Sequence, residues 1–301
     1  MASEKNSLHC FAHQSMGTTF EGWITGCEIT YARQAAQAFF SEIDRLERLF
    51  SRFNPSSEIS LISRLKPGES MRIGAETYEC LAIAEKIRQE TAGAFDINFR
   101  SVHKLTPEAG EKNLRLVLSA SDGFSVTLER EKFEPGQACS GIDLDLGGIG
   151  KGYALDRAVD ILADWEIDCF LFHAGTSTAL ARGDAPGSNP GEEGWPVGAG
   201  AGLGFHGTQR RLFLQNRALS GSGVERKGGH IIDPRRGCPA DQYLAVWVSH
   251  PQAAEADALS TAFMAMRQEE IRDYCRLHQE VWALVLGLDH ASHVFNQEIF
   301  V

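Results

Sequence analysis

Apolar and polar positions recur along this chain with two periods, and the switches between them mark out helices and strands. From Tyr31 to Phe50, Ala36, Phe39, Phe40, Ile43, Leu46 and Phe50 return at three- and four-residue steps, with Arg33, Glu42, Arg45 and Glu47 between them. That spacing predicts an amphipathic helix. Pro55 ends it, and Ser56 or Ser57 can cap a short helix that follows. A second helix is expected from about Glu76 to Glu90, with Leu81, Ala84 and Ile87 on one face and a stop at Thr91-Ala92-Gly93. Leu155, Ala158, Val159, Leu162 and Trp165 mark another, and two more follow Pro251, one through Asp257 to Met266 and one over Glu269 to His278.

Strands are expected at Phe20–Thr25, with Met16-Gly17-Thr18-Thr19 as a polar lead, and at Cys169–Phe172, Arg211–Gln215 and Leu244–Val248. Val281–Leu286 reads as a closing strand. Asp122-Gly123, between Leu116-Val117-Leu118 and Phe124–Leu128, predicts a hairpin within residues 113 to 134. Gly183 to Gly207 is rich in glycine and proline and reads as an irregular excursion or a pair of short strands. The alternation of strand runs with helices predicts an α+β fold with mixed, largely antiparallel sheets flanked by helices.

One stretch carries candidate chemistry. Ile142-Asp143-Leu144-Asp145-Leu146 opens into Gly147-Gly148-Ile149-Gly150-Lys151-Gly152 and a helical run, and reads as strand, glycine turn and helix. With Cys169–Phe172 it predicts a strand-helix-strand unit. Unobstructed amides at a helix N-terminus suit a phosphate, and Lys151 adds a full charge. The dinucleotide fingerprint fails because Tyr153 stands where its third glycine belongs; the phosphate loop of nucleotide triphosphatases fails at Asp145 and Gly152. Taken alone, the turn serves a phosphate or a ligand-free strand-to-helix junction equally well.

Composition narrows the classes. The 301 residues suffice for one large domain or two intimately packed lobes. With 29 basic and 40 acidic residues the net charge is −11, which argues against a general nucleic-acid or anionic-membrane surface. No run suits a signal peptide or a membrane span, so a cytoplasmic protein is expected, or a periplasmic one if an export signal was removed. The seven cysteines are scattered without paired spacing and read as reduced thiols.

Six segments, taken in order, resemble one family: Met16-Gly17-Thr18, Ser57-Glu58-Ile59-Ser60, Gly93-Ala94-Phe95-Asp96, Asp145 to Ala154 through the glycine turn, His230-Ile231-Ile232-Asp233-Pro234, and Ala256 to Ala262. Together they are similar to the ApbE-type flavin transferases, magnesium-dependent enzymes that move FMN from FAD to a Thr or Ser hydroxyl of an acceptor protein and release AMP. The resemblance implies FAD contacts at Met16, Phe53, Ala94, Phe95, Asp96, Asp145, Lys151 and Ile232. It implies Mg2+ at the Gly148 carbonyl and at Asp257 and Thr261, with Ser260 where some relatives carry another carboxylate. Asp257 and Thr261 stand four apart, so a helix turns both to one side. His230 is expected near the reacting phosphate as general base or orienting donor, so that His230 and Asp257 form the catalytic pair.

The chain departs from the pattern at His173-Ala174-Gly175-Thr176, which bears on the acceptor side, and at Val224-Glu225, where relatives usually show a polar and then an aromatic residue. Acceptors of this class carry Asp-x-x-Ser/Thr-x-Ala-Ser/Thr. Asp257-Ala-Leu-Ser260-Thr-Ala262-Phe263 comes close but lacks the final hydroxyl, which favours an enzyme over a flavin carrier. A magnesium-dependent FAD pyrophosphatase, in which water replaces the acceptor, is the alternative enzyme. A non-catalytic flavin-binding protein is the alternative of another class.

Overall fold

The structure is a computed structural model and describes residues 7–98, 114–130, 142–188, 193–199, 210–224 and 231–300. The N-terminal part forms β1 (Leu8–Ser15), β2 (Thr18–Thr25), α1 (Ile29–Phe50), α2 (Glu58–Ile62), β3 (Ser70–Arg72), α3 (Ala75–Glu90), β4 (Leu114–Ser119) and β5 (Ser125–Arg130). The middle holds α4 (Gly150–Asp164), β6 (Phe170–Ala174), β7 (Thr178–Arg182), β8 (Trp195–Ala199), β9 (Arg210–Leu214) and β10 (Arg217–Gly223). The rest comprises β11 (Ile232–Asp233), β12 (Cys238–Pro239), β13 (Tyr243–His250), α5 (Ala253–Ala265), α6 (Gln268–Leu277), β14 (Trp282–Gly287) and β15 (Ser292–Phe295), followed by a 3-10 turn at Gln297–Phe300.

Eight strands form the main sheet in the order β1-β2-β6-β7-β10-β13-β14-β15, and each neighbouring pair is antiparallel. Helices α1, α4 and α5 cover one face. Phe20, Phe172 and Leu180 from the strands meet Phe39, Leu155 and Leu259 from the helices in the principal core. On the other face the β8–β9 hairpin covers a smaller core built around Leu171, Trp195, Leu214 and Trp282. This is the expected α+β arrangement, with the main sheet wholly antiparallel.

Helix α5 is apolar nearly all round, and only Thr261 among its thirteen residues is not buried. Such a helix is central, and its buried polar side chains must find partners inside the protein. Glycines allow two close approaches, one on the far face of the sheet and one against α5 itself. Gly221 on β10 faces Trp247 on β13, where a β-carbon would stand 2.8 Å from the indole ring. Gly152 on α4 faces the first turn of α5, where a β-carbon would lie 2.2 Å from the Ala253 carbonyl oxygen.

Several expectations change. The polar lead at Met16-Gly17 is the two-residue turn of the β1–β2 hairpin, with Ser15 opposite Thr18, and it brings in a strand ahead of the expected first one. Ile142–Leu146 is not a strand of the sheet: Leu144 makes one bridge to Asn98, and the Asp145 amide donates to the Ile97 carbonyl at 2.8 Å. Ile142, Leu144 and Leu146 are buried in alternation, so an extended segment lying along the core carries the same period as a strand, and no strand-helix-strand unit forms. Ser220-Gly-Ser-Gly223, too poor in branched or aromatic residues to read as a strand, lies in β10 near the centre of the sheet. Val281–Leu286 does not close the chain, because β15 pairs with β14 beyond it. The Asp122-Gly123 hairpin forms as β4 and β5, its residues 131–134 lying outside the described residues.

Candidate functional site

The glycine turn fixes the start of α4. Asp145 accepts from the Gly147 amide at 2.8 Å, and the Gly150 amide donates to the Leu146 carbonyl at 2.7 Å, so the chain winds directly into the helix. Gly148 stands where a β-carbon would lie 3.2 Å from the Thr261 hydroxyl and 3.3 Å from the Phe95 ring. Glycine is therefore needed for the turn to lie against both α5 and the 93–98 segment. Ala94 and Phe95 are buried, Phe95 backing the turn, and Asp96 accepts from the Asn98 amide at 2.8 Å.

Asp257 is the centre of the site. Only 4 % exposed, it projects from α5 toward the first turn of α4 and the sheet. One carboxylate oxygen accepts from the Ser220 hydroxyl at 3.1 Å and the Thr178 hydroxyl at 3.3 Å; the other accepts from the Gly152 amide at 3.2 Å and the Lys151 ammonium at 3.4 Å. The Lys151 ammonium also donates to the Gly147 carbonyl at 2.8 Å, so it closes the turn from the side of Asp257. Four donors around a buried carboxylate hold it in one orientation.

A chain of hydroxyls continues from it. Ser260, fully buried, lies 2.9 Å from the Ser222 hydroxyl and 3.4 Å from that of Ser220, and Thr261 lies 3.4 Å from Ser222. Ser220 and Ser222 face α5 because residues two apart in a strand share a face, and Thr178 is the register partner of Ser220 on β7. None of these three was singled out in the sequence. The signal available was the Ser-x-Ser step, masked by the glycines between and after.

The donor set brought together is one carboxylate and hydroxyls, all hard oxygens, with Gly148 packed beside Thr261. Among the described residues no group of three or more His, Cys, Asp or Glu side chains could hold a metal. A small divalent cation that takes few protein ligands and keeps the rest for water and phosphate, as magnesium does, fits this set; a zinc-type ion does not. Ser260 lies behind Asp257 and Thr261, with its hydroxyl engaged by Ser222 and by the Asp257 carbonyl at 2.9 Å.

The other expected residues take these places in the fold. Phe53 is 83 % exposed, with the Arg52 guanidinium 4.9 Å from its ring centroid; Arg52 also lies 3.7 Å from the Asp145 carboxylate. Ser57 and Glu58 serve as a brace: Ser57 caps α2 by accepting from the Ser60 amide, and Glu58 accepts from the Gly74 amide at 3.0 Å. Met16 and Gly17 turn the first hairpin with φ of 50° and 69°. Ile232 is half-buried on β11, and Asp233 beside it holds Arg235, which reaches Glu270 on α6 and the Ala265 carbonyl at the end of α5. His230 and Glu225 lie outside the described residues. His173 packs edge-on against Trp23 at 5.4 Å, on the sheet face away from Asp257, and burial lowers its pKa.

Comparison with known proteins points to one family. The chain is 22% identical to the FAD:protein FMN transferase of Haemophilus influenzae over 92% of this chain and 86% of that one. It is 23% identical to the enzyme of the same name from Chlamydia muridarum over 79% and 78%. In structure it superimposes on the apo form of the flavinyl transferase ApbE of Pseudomonas stutzeri with a TM-score of 0.77 and 18% identity, over 99% of both chains. The ApbE protein of Thermotoga maritima gives 0.76 and 23% over 98% and 99%. These likenesses show a shared fold. The family model for ApbE matches residues 16–285, nearly the whole sequence, and the chain belongs to the ApbE family.

Proposed function

We propose that this protein transfers FMN from FAD to a Thr or Ser hydroxyl of an acceptor protein, in the presence of magnesium, and releases AMP. The observation that carries this reading is the placement of buried Asp257 against Lys151 and the Gly152 amide, where the glycine turn opens into α4. A helix N-terminus with a lysine attracts a pyrophosphate, and the carboxylate beside it gives a cation a reason to be there as well. Magnesium held by the Gly148 carbonyl and by Asp257 and Thr261, with Ser260 behind them, supplies neutralisation of phosphate charge and of the leaving AMP.

The residues of the chain do the rest. The amides of the turn and Lys151 hold the phosphates. The exposed ring of Phe53 and the 93–96 segment flank the flavin nucleotide together with Met16 and Ile232, and Asp96 and Asp145 supply polar contacts. The acceptor oxygen attacks the FMN phosphorus and forms the new P–O bond. The bond from that phosphorus to the bridging oxygen breaks, AMP departs with the electron pair, and the hydroxyl proton passes to His230. The acceptor segment is of the Asp-x-x-Ser/Thr-x-Ala-Ser/Thr kind. The test is incubation with FAD, magnesium and a domain bearing that segment. Protein-bound yellow fluorescence is expected; free FMN with an unlabelled acceptor would show a hydrolase instead, and label on this chain itself would show a carrier.

A further inference from the structure

Helix α5 begins without a capping side chain of its own, since Gln252 at its N-cap makes no such bond. Its first-turn amides are taken instead by a residue 97 positions earlier: the Ala253 amide donates to one carboxylate oxygen of Asp156 at 2.7 Å, and the Ala254 amide to the other at 2.8 Å. Asp156 lies on α4, one turn after Gly152. Gly152 in turn donates its amide to Asp257, which lies one turn into α5. Each helix thus offers an aspartate to the first-turn amides of the other, and where they meet Gly152 leaves no room for a β-carbon.

The two aspartates are not equivalent in surroundings. Asp257 belongs to the hydroxyl cluster and Lys151, whereas Asp156 faces the α5 amides, with Arg182 from β7 and Glu255 from α5 as the charged groups around it. Asp156 bonds the α5 amides rather than Asp257 or Lys151. Its effect on the site passes through the register of α5 against α4, and so through the position of Asp257 over the glycine turn. Both carboxylate oxygens of Asp156 are engaged by consecutive amides, a geometry that fixes the first turn of α5 in rotation as well as distance.

We propose that Asp156 is a positioning residue for the reaction: by capping α5 across the helix pair it sets the Asp257 carboxylate against Lys151 and the Gly152 amide. The proposal rests on the transferase reading of the Asp257 site. Its test is a double-variant cycle on the full chain with Asp156→Asn, Asp257→Asn and the two combined, reading FMN transfer, the KM for FAD and the cooperative melting transition. Asp156→Asn keeps the shape and one acceptor, so the fold is expected to persist. Its kcat is expected to fall about ten-fold or more, with KM for FAD changing less, because the amides and Lys151 that bind phosphate stay on α4. In the combined variant the loss is expected to equal that of Asp257→Asn alone, since Asp156 acts through Asp257. Losses that multiply in the combined variant, or wild-type kcat in Asp156→Asn, would overturn the proposal. Wild-type transfer in Asp257→Asn would instead remove the transferase reading on which it rests. Asp156→Ala, measured by melting and by the same kcat, adds a second arm: a lower melting temperature with wild-type kcat would mark the cap as purely structural and overturn the proposal.

Discussion

At the scale of single residues, the site is a set of polar groups placed where burial makes each count. Lys151 is about one-fifth exposed and shared between the Gly147 carbonyl and Asp257, so its ammonium is already held at the mouth of the turn before a phosphate arrives. Removing a charge-assisted hydrogen bond costs roughly 1.5–3 kcal/mol, so Lys151→Ala is expected to weaken FAD binding about ten-fold or more. Calorimetry showing unchanged affinity would sink that placement. Met16 illustrates backbone strain. Its φ of 50° is one that glycine or asparagine adopts with less cost, yet a bulky residue holds it in a two-residue hairpin turn. Met16→Asn is therefore expected to leave the melting temperature unchanged or raised while FAD affinity falls; a fall in both, or in neither, would show that the residue serves the hairpin alone. These residues were visible in the sequence because their chemistry sits in short contiguous motifs. Thr178, Ser220 and Ser222 were not, because a hydroxyl gains its role from the carboxylate across the sheet and nothing local marks it.

At the scale of elements, the contact between α4 and α5 decides the geometry. Gly152 has a β-carbon position 2.2 Å from a backbone oxygen, which a side chain cannot occupy without moving a helix. Gly152→Ala is expected to cost about 1–3 kcal/mol by overpacking, and to separate Asp257 from the turn so that turnover falls further than stability would explain. Chemical denaturation and transfer rate measured on one preparation check this; full stability with full activity would contradict it. The same contact gives a pH signature. Burial pushes the Asp156 carboxyl up from 3.8 to about 6, with Glu255 adding to the rise and the α5 amides and Arg182 opposing it. A carboxyl raised in the folded state contributes stability that is fully present below its unfolded pKa and is lost as pH rises through about 6. Wild type is therefore expected to lose up to ~3 kcal/mol relative to Asp156→Asn between about pH 4 and pH 7.5, read from urea unfolding at the two pH values. A gap that does not change with pH would count against it. The helices themselves were legible in the sequence, α1 to within two residues, because one buried stripe per helix leaves a clear period. The 142–146 run misled because an extended tether beside Asn98 buries alternate residues as a strand does. β10 was missed because its packing needs come from Trp247 and α5, so small residues suffice there.

At the scale of the whole molecule, the glycine turn, the 93–96 segment and the Asp257–Thr261 run meet where α4 packs against α5. The antiparallel sheet brings β7 and β10 beneath α5, and the Asp233–Arg235 pair ties β11 to the C-terminal end of α5. Motifs of three to ten residues, each unremarkable alone, thus carry the family signature together. The sequence could not supply the packing of α5 against α4 and the sheet, which depends on Gly152 and Asp156 from α4 and Ser220 from β10, all distant in the chain from α5. Among the described residues no helix is long and apolar enough to cross a membrane, and the six described cysteines are free thiols. The central claim is that the buried carboxylate at the head of this helix pair makes FMN transfer possible. It is tested most directly by intact-mass measurement of an acceptor domain after incubation with FAD, magnesium and either the wild-type chain or Asp257→Asn. The account predicts a gain of one FMN on the acceptor with wild type, abolished by excess chelator and reduced by orders of magnitude with a folded Asp257→Asn. Full labelling by that variant, or full labelling in chelator, would contradict it.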